Sequence, residues 1–452
     1  MQIRAIKCKK CNAIIYSRFR QDMRGCLCKK NGVAIDGGQT GYIRILGEPN
    51  QIIDLTFPLN VTRYELYQDW NREKNRLGLI PPKQKVNIAT FKVGDNLTNE
   101  LPAVLDHLNQ KYSNKITEVF GSIAQHAWLA ARPKFRLPNI TEKQFREHVK
   151  KLQSYGIEFN YTLNAPFIGS SSDIERRIPI IKDTVGFLAS CGVTRFTISS
   201  PLLAMIIRNI FGHSKFELEL STIAALTQVS QLKSYHDMAG FTRFCMNIEK
   251  HRNFEFLKKA QEVANREGFV INLIVNEFCS SSHANYCSGC VLRQDCYNLH
   301  SVNKTKEDYA KFGGYPMAFC LSGRNIEPYS WLRSRFILPQ WLKYYRDIGI
   351  THFKITGRTG STDYIKKIVE YYMKEKFDGN LLELWKPLES IYSGTKNSDA
   401  DNTFIKTMLS CKTLVDKGFI NHWKSTNFDC STVECGNDCT YCKDFYINYL
   451  KS

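Results

Sequence analysis

Gly192-Val193-Thr194-Arg195-Phe196-Thr197-Ile198-Ser199-Ser200 is a short β-rich run that ends in small polar residues. A segment of helical period follows at 201–211, and a second short run, Phe216–Thr222, comes after it. A strand, a helix and a strand in that order form a unit that lays parallel strands side by side. The rhythm extends in both directions. Strands are expected at Val86–Phe91, Ile116–Ile123, Gly156–Ala165, Gly192–Ser200, Phe216–Thr222, Met238–Met246, Gly268–Cys279 and His352–Arg358. Helices are expected near 98–112, 142–154, 175–190, 201–211, 222–234, 251–267 and 361–376. Strands without clear alternation are read as buried on both faces. Eight of them with helices between predict an α/β fold, a (β/α)8 barrel of the TIM type. An open doubly wound sheet is the competitor, but no GxGxxG turn follows any of the strands.

The domain organisation follows from this rhythm. Residues 1–80 form a basic, cysteine-bearing domain, and Ile80-Pro81-Pro82-Lys83-Gln84-Lys85 reads as a linker. The barrel is expected over 85–380, with a cysteine-rich loop at 279–335, and a C-terminal extension over 381–452. Chemistry in such barrels lies at the C-terminal strand ends. That singles out Asn160, Tyr161 and Asn164 at one strand end, Asn276 and Glu277 at another, and Arg358 at a third. Arg132, just after the second strand, suits bidentate binding of an anion. Glu277 is the candidate proton relay, and a structural salt bridge to Arg358 is its bland alternative.

The chain of 452 residues carries 62 Lys+Arg against 43 Asp+Glu, a formal net charge of +19, and 16 cysteines. No apolar run is long enough to span a membrane, and the N-terminus lacks the apolar core of a secretory signal, so a cytoplasmic protein is expected. The positive charge favours a polyanion, RNA above all. Clustered thiols in a reducing compartment favour metals over disulfides. Cys8, Cys11, Cys26 and Cys28 fit two knuckles of a zinc-ribbon-like site, with free thiols or an iron–sulfur cluster as alternatives. Cys279, Cys287, Cys290, Cys296 and Cys320 suit a cluster at the barrel mouth better than a zinc-stabilised loop. Cys430, Cys435, Cys439 and Cys442 fit zinc or a 4Fe–4S cluster equally by spacing. Cys191, Cys245 and Cys411 read as buried apolar residues, and His283 and His300 as loop residues beside the thiols.

Glu118-Val119-Phe120-Gly121-Ser122, Phe159-Asn160-Tyr161-Thr162-Leu163-Asn164-Ala165, Leu273-Ile274-Val275-Asn276-Glu277 and Phe353-Lys354-Ile355-Thr356-Gly357-Arg358 occur in this order. Together they resemble the collagenase-like "peptidase" superfamily of unassigned mechanism, over about residues 85–445. The resemblance implies an oxygen-independent hydroxylase with a 4Fe–4S cluster on four cysteines. It implies tRNA, rRNA or ubiquinone precursors as substrates, and prephenate as oxygen donor. Cys279, Cys320 and Cys290 match the cluster ligands, with Cys287 or Cys296 as the fourth. Where relatives carry an Arg-Pro-Glu-Asp segment, this chain reads Leu338-Pro339-Gln340-Trp341, which removes three charged groups.

Expected cofactors are therefore a 4Fe–4S cluster and Zn2+, with prephenate as co-substrate. Expected partners are an RNA and an electron donor or partner subunit, with no membrane. Lys9, Lys10, Lys29 and Lys30 would meet phosphates, and Tyr161, Tyr286 and Tyr297 are candidates to stack a base. A peptidase is the enzymatic alternative, although no Ser–His–Asp signature, HExxH or P-loop appears. A non-catalytic adaptor for RNA or protein, its metals structural, is the alternative of another class.

Overall fold

The computed structural model describes residues 1–80 apart from 12, 27, 29–31, 38 and 40, then 88–277, 297–299, 301–302, 305, 307, 328–385 and 408–451. It divides into two compact units, Met1–Asn87 and Ile88–Ser452. In the first, β1 (Gln2–Cys8), β2 (Ile14–Ile15), β3 (Arg24–Gly25), β4 (Ala34–Asp36), β5 (Arg44–Leu46), β6 (Ile52–Pro58) and β7 (Leu79–Ile80) make two small sheets. Their orders are β6-β1-β2-β7 and β3-β4-β5, antiparallel throughout. A helix, Arg63–Asn71, starts on a Thr62/Glu65 capping box. Arg18 is buried between Asp22 (2.9 Å) and Asp69 (2.5 Å) and ties the turn at 18–22 to that helix.

The second unit holds a closed barrel. Its strands are β8 (Thr90–Gly94), β9 (Lys115–Gly121), β10 (Glu158–Leu163), β11 (Arg195–Ile198), β12 (Glu217–Leu220), β13 (Arg243–Cys245), β14 (Val270–Ile274) and β15 (His352–Ile355). Each pairs in parallel with the next, and β15 closes on β8. The expected (β/α)8 barrel is therefore present.

Its helices follow local rules. Ser200 caps Pro201–Phe211, with proline at the first helical position where its missing N–H costs nothing. The helix Glu142–Ser154 opens on a Thr141/Gln144 capping box and buries Phe145, His148, Val149 and Leu152, one stripe of 3.6 period. The helix Phe254–Glu267 is capped by Asn253 and stopped by Gly268 at φ 75°, a conformation that favours glycine.

Three expectations need correction. Thr222–Ala224 is only a 3-10 turn, broken at Ala225 in the left-handed region, and the helix itself runs Ser230–Ala239. It takes in Met238, so β13 shrinks to Arg243–Cys245. The first barrel strand runs to Gly94 rather than stopping at Phe91, because Lys92 points inward instead of ending the strand.

The third correction concerns the lumen. The strands do alternate: Phe91, Val119, Phe159, Phe196, Leu218, Phe244, Ile271 and Phe353 belong to the large apolar core, whereas their neighbours meet inside the barrel. Lys92 Nζ lies 2.9 Å from Glu118 Oε1, 2.8 Å from Glu219 Oε1 and 3.1 Å from Thr197 Oγ1. Asn160 donates to Glu118 (3.0 Å) and accepts from Thr197 (2.7 Å). Asn272 donates to Glu219 (3.0 Å), and Arg243 donates to Glu118 (3.0 Å). Arg195 donates to Glu217 (2.6 Å) and Glu118 (3.2 Å) near the rim. Eight strands leave a lumen that side chains just fill, and here those side chains are ionic.

Burial by itself would raise the Glu219 carboxyl, but Lys92, Lys354 and Arg243 outweigh it and hold it down to about 2. Burial, with Arg243 next to it, pushes His352 down to about 4. Both groups bind protons more weakly folded than unfolded, so each contributes stability that is lost on acidification. His352 acts as pH falls from about 6.5 toward 4, and Glu219 from about 4.5 toward 2. Denaturant midpoints should fall across both windows. Glu219→Gln should cost about 3 kcal/mol at neutral pH by leaving Lys92 short of one charge. Its deficit relative to wild type should shrink below pH 4.5 (the unperturbed carboxyl value). A deficit that stays constant down to pH 2 would show that Glu219 is not ionised in the fold.

A cationic barrel mouth and two thiol groups

The mouth is built where β9, β10 and β15 end. Arg358 is 8% exposed and reaches over the lumen, its Nη1 donating to Thr162 Oγ1 (3.0 Å) and Ser122 Oγ (3.4 Å). Its Nε is buried with no hydrogen-bond partner among the described residues. Gly94 is required beneath it: a Cβ there would come within 2.9 Å of the Arg358 backbone nitrogen. Phe120 turns its ring inward, with Lys354 Nζ 4.2 Å, Lys92 Nζ 5.7 Å and the Arg358 guanidinium 5.9 Å from its centre. Burial, and Lys92 beside it, hold the Lys354 ammonium below its ordinary range. Burial, with Arg132 nearby, pulls Arg358 well down in the same sense. A guanidinium does not give up its proton in a protein, so the pull is a destabilised charge held in place. Cations gathered this way are suited to holding an anion.

The other candidate side chains are distributed differently. Asn160 sits in the lumen, both ends of its amide engaged with Glu118 and Thr197. Asn276 is fully used in joining two strand ends, donating to Thr356 O (3.0 Å) and Leu384 O (3.3 Å) and accepting from Thr356 N (2.7 Å). Asn164 accepts from Ala131 N (3.2 Å), which fixes the loop carrying Arg132. Arg132 is half-buried. Glu277 is half-buried, and the Arg358 guanidinium donates to the Ser122 and Thr162 hydroxyls.

Tyr161 is not a stacking platform. It is fully buried outside the lumen against Phe145 (5.8 Å) and Phe159 (6.2 Å), and its hydroxyl meets Ile123 N (3.1 Å) and His126 Nδ1 (3.0 Å). Burial pushes its phenol above the usual range and His126 down to about 4. Tyr286, His283 and His300 lie outside the described residues, as do Cys279, Cys287, Cys290, Cys296 and Cys320.

Lys92, Glu118, Glu219, Arg243 and Lys354 were missed as a group by the sequence reading. Their signal was present as charges at every second position of otherwise apolar strands. A buried His148–Asp95 pair (2.7 Å) was missed as well; it joins the helix Glu142–Ser154 to the end of β8.

Two thiol groups fall among the described residues. The Sγ atoms of Cys8, Cys11, Cys26 and Cys28 all lie within 4.8 Å of one another, with Cys8 and Cys28 at 3.9 Å. Val33 N donates to Cys26 Sγ (3.3 Å). These four have the arrangement of a metal site. Cys430, Cys435, Cys439 and Cys442 line one cavity together with Arg333, Arg335 and Trp423. Cys191, Cys245 and Cys411 are buried, as apolar residues would be. No helix among the described residues is long and apolar enough to cross a membrane.

Fold and site thus define a parallel (β/α)8-barrel protein with a cationic mouth and a four-thiol metal site in a separate small unit. Residues 105–380 match the model of peptidase family U32, and residues 3–47 match that of a domain of unknown function. The chain belongs to peptidase family U32. An uncharacterized protease of Methanocaldococcus jannaschii is 23% identical over 350 residues, which cover 77% of this chain and 92% of the relative. A U32 peptidase of known structure is 12% identical, with a TM-score of 0.40 over 60% of this chain and 93% of its own. An aldolase from Escherichia coli K12 is 11% identical, with a TM-score of 0.30 over 70% and 94%. Likeness at that level carries no argument about activity.

Arg358→Met separates stability from binding. Removing a buried cation that has no carboxylate partner among the described residues should leave the fold as stable or raise it by about 1 kcal/mol. Affinity for a small dicarboxylate such as malonate, measured by calorimetry, should fall roughly 10- to 100-fold with the charge-assisted bonds. A variant that is destabilised yet binds malonate unchanged would make Arg358 a structural residue.

Proposed function

We propose that this protein is an iron–sulfur-dependent, oxygen-independent hydroxylase, or a related redox modification enzyme, acting on RNA with an anionic oxygen donor such as prephenate. The observation that carries the reading is the mouth, where Arg358 is buried against hydroxyls beside Lys354 and Arg132. A peptide bond is neutral and gives such charges nothing to pair with, whereas a dicarboxylate matches them. This favours the redox reading over the peptidase that the family name suggests.

Four of Cys279, Cys287, Cys290, Cys296 and Cys320 would hold the 4Fe–4S cluster, which follows β14 directly in the chain. When bound, such a cluster supplies electron transfer to a substrate at the mouth. Arg358 and Arg132 would orient the donor's carboxylates, and Glu277 would handle a proton. RNA is favoured as substrate by the +19 charge. Sulfurs as close as those of Cys8, Cys11, Cys26 and Cys28 favour a single zinc ion in the N-terminal unit, which would staple a small core.

Protein purified without oxygen should contain iron and sulfide. It should add one oxygen atom to a nucleoside of cellular RNA only when prephenate is present, as read by mass spectrometry of digested RNA. Binding to RNA should weaken steeply with salt, and further when Lys9, Lys10, Lys29 and Lys30 are changed together to Glu. Prephenate-independent cleavage of peptides by metal-free protein would replace this reading with the peptidase. The zinc has its own check. A strong chelator should expose residues 1–80 to limited proteolysis while the barrel stays resistant; equal resistance of both units would remove zinc as the staple.

A further inference from the structure

The two described thiol groups differ in one measurable respect. A single tetrahedral ion with metal–sulfur bonds of about 2.3 Å draws its four sulfurs to about 3.8 Å from one another. The N-terminal group meets that demand, with every Sγ within 4.8 Å of the others. Cys430, Cys435, Cys439 and Cys442 do not: no three of them approach that closely, although all four line the same cavity. A cubane of iron and sulfide spreads its cysteine sulfurs much wider, to roughly 6 Å.

The surroundings are built for an anionic occupant. Arg333 lines the cavity, is 3% exposed, and has both Nε and Nη1 buried without a hydrogen-bond partner among the described residues. Arg252, 1% exposed and packed over the Trp423 ring (4.3 Å), donates to two backbone carbonyls, Leu332 O at 3.0 Å and Ser334 O at 2.5 Å. Neither has a carboxylate partner among the described residues. Four thiolates around zinc or around a cubane both carry net negative charge, so the arginines call for a thiolate–metal centre without naming it. The sulfur spread, too wide for one tetrahedral ion, favours the cubane.

The ligand frame is ordered for the purpose. Trp423 Nε1 donates to Cys430 Sγ at 3.0 Å, the kind of N–H···S bond that supports a cluster thiolate. Cys435 and Cys439 are paired across a tight turn by a single β-bridge, with Gly436 N donating to Cys439 O (2.9 Å). Gly436, at φ 105°, leaves the turn open toward Arg333, whose Nη2 would lie 3.8 Å from a Cβ placed there. Cys442 lies in the first turn of the terminal helix Tyr441–Tyr449.

We propose that Cys430, Cys435, Cys439 and Cys442 bind a 4Fe–4S cluster, separate from the one proposed at the barrel mouth and from the N-terminal metal. The inference rests on this cavity and not on the mouth. The full-length protein, purified without oxygen, is compared with two double variants, Cys435→Ser/Cys439→Ser and Cys279→Ser/Cys320→Ser. Iron, sulfide and zinc are counted per chain, and the reduced clusters are followed by paramagnetic resonance.

The first variant should lose roughly four irons and four sulfides per chain while its zinc is unchanged. The resonance it loses should persist in the second variant. If only the first variant loses iron, the C-terminal cluster stands and the mouth cluster falls. If only the second loses iron, the C-terminal cluster is refuted. Loss of zinc instead of iron in the first variant also overturns the proposal. Should the double variant fail to fold, Cys435→Ala alone decides: three remaining thiols should give the oxidised protein a three-iron signal absent from wild type, and the absence of that signal counts against the site.

Discussion

Lys92 is held between Glu118 and Glu219 at the centre of the barrel, and much of the second unit depends on that contact. Lys92 lies on the first strand of the barrel and Glu219 on the fifth, so the bond spans the lumen. An ammonium taken out of water costs several kcal/mol unless carboxylates meet it in good geometry. Here two carboxylates do, and each is shared in turn. Glu118 also binds Asn160, Arg195 and Arg243, while Glu219 binds Thr197 and Asn272. Every strand through β14 thereby has a side chain in one network, and β15 adds Lys354 beside Glu219. Such a network adds little net stability over an apolar filling, but it penalises any slip in strand register, because a one-residue shift would place each charge among the helices.

The network also sets the electrostatics of the mouth. Phe120 lies between the two levels, with Lys92 and Lys354 against its ring and Arg358 beyond. The carboxylates sit deep and the surplus cations sit at the C-terminal end, so the field points outward from the lumen to the mouth. That polarity is what an anionic ligand needs, and burial strengthens it by removing water. Arg358 carries the cost, resting on Thr162 and Ser122 hydroxyls where a carboxylate would have been more favourable. Groups left unsatisfied in this way concentrate at functional sites.

The thiol groups follow a related rule at smaller scale. Four thiolates repel, and the distance to which the fold brings them determines the charge that can sit among them. In the N-terminal unit the turns that follow β1 and β3 bring the sulfurs together. Around Cys430–Cys442 a tight turn, a 3-10 turn and a helix start hold them apart, with arginines behind. Spacing along the chain leaves zinc and a cluster open at both groups, but the distances through space differ: the N-terminal sulfurs lie within 4.8 Å of one another, and no three of the C-terminal ones do.

The eightfold alternation of short runs and helical periods was legible in the sequence, because backbone hydrogen bonding and helix caps are local. Ser200-Pro201, Thr141/Gln144 and Asn253 with Gly268 mark their helices without reference to anything distant. The grouping of the cysteines was legible for the same reason. The lumen was not. Lys92, Glu118, Glu219 and Arg243 read singly as interruptions of apolar strands, and only closure of the barrel brings residues more than a hundred positions apart within hydrogen-bond distance. Closure also turned Tyr161 outward and Asn160 inward, since neighbours on a strand face opposite sides. The sequence by itself determined most of the elements, their order and the grouping of the thiols; the tertiary structure decided which charges meet, which arginines are left for a ligand, and how far apart the sulfurs stand. Those are properties of distance through space, which separation along the chain does not encode.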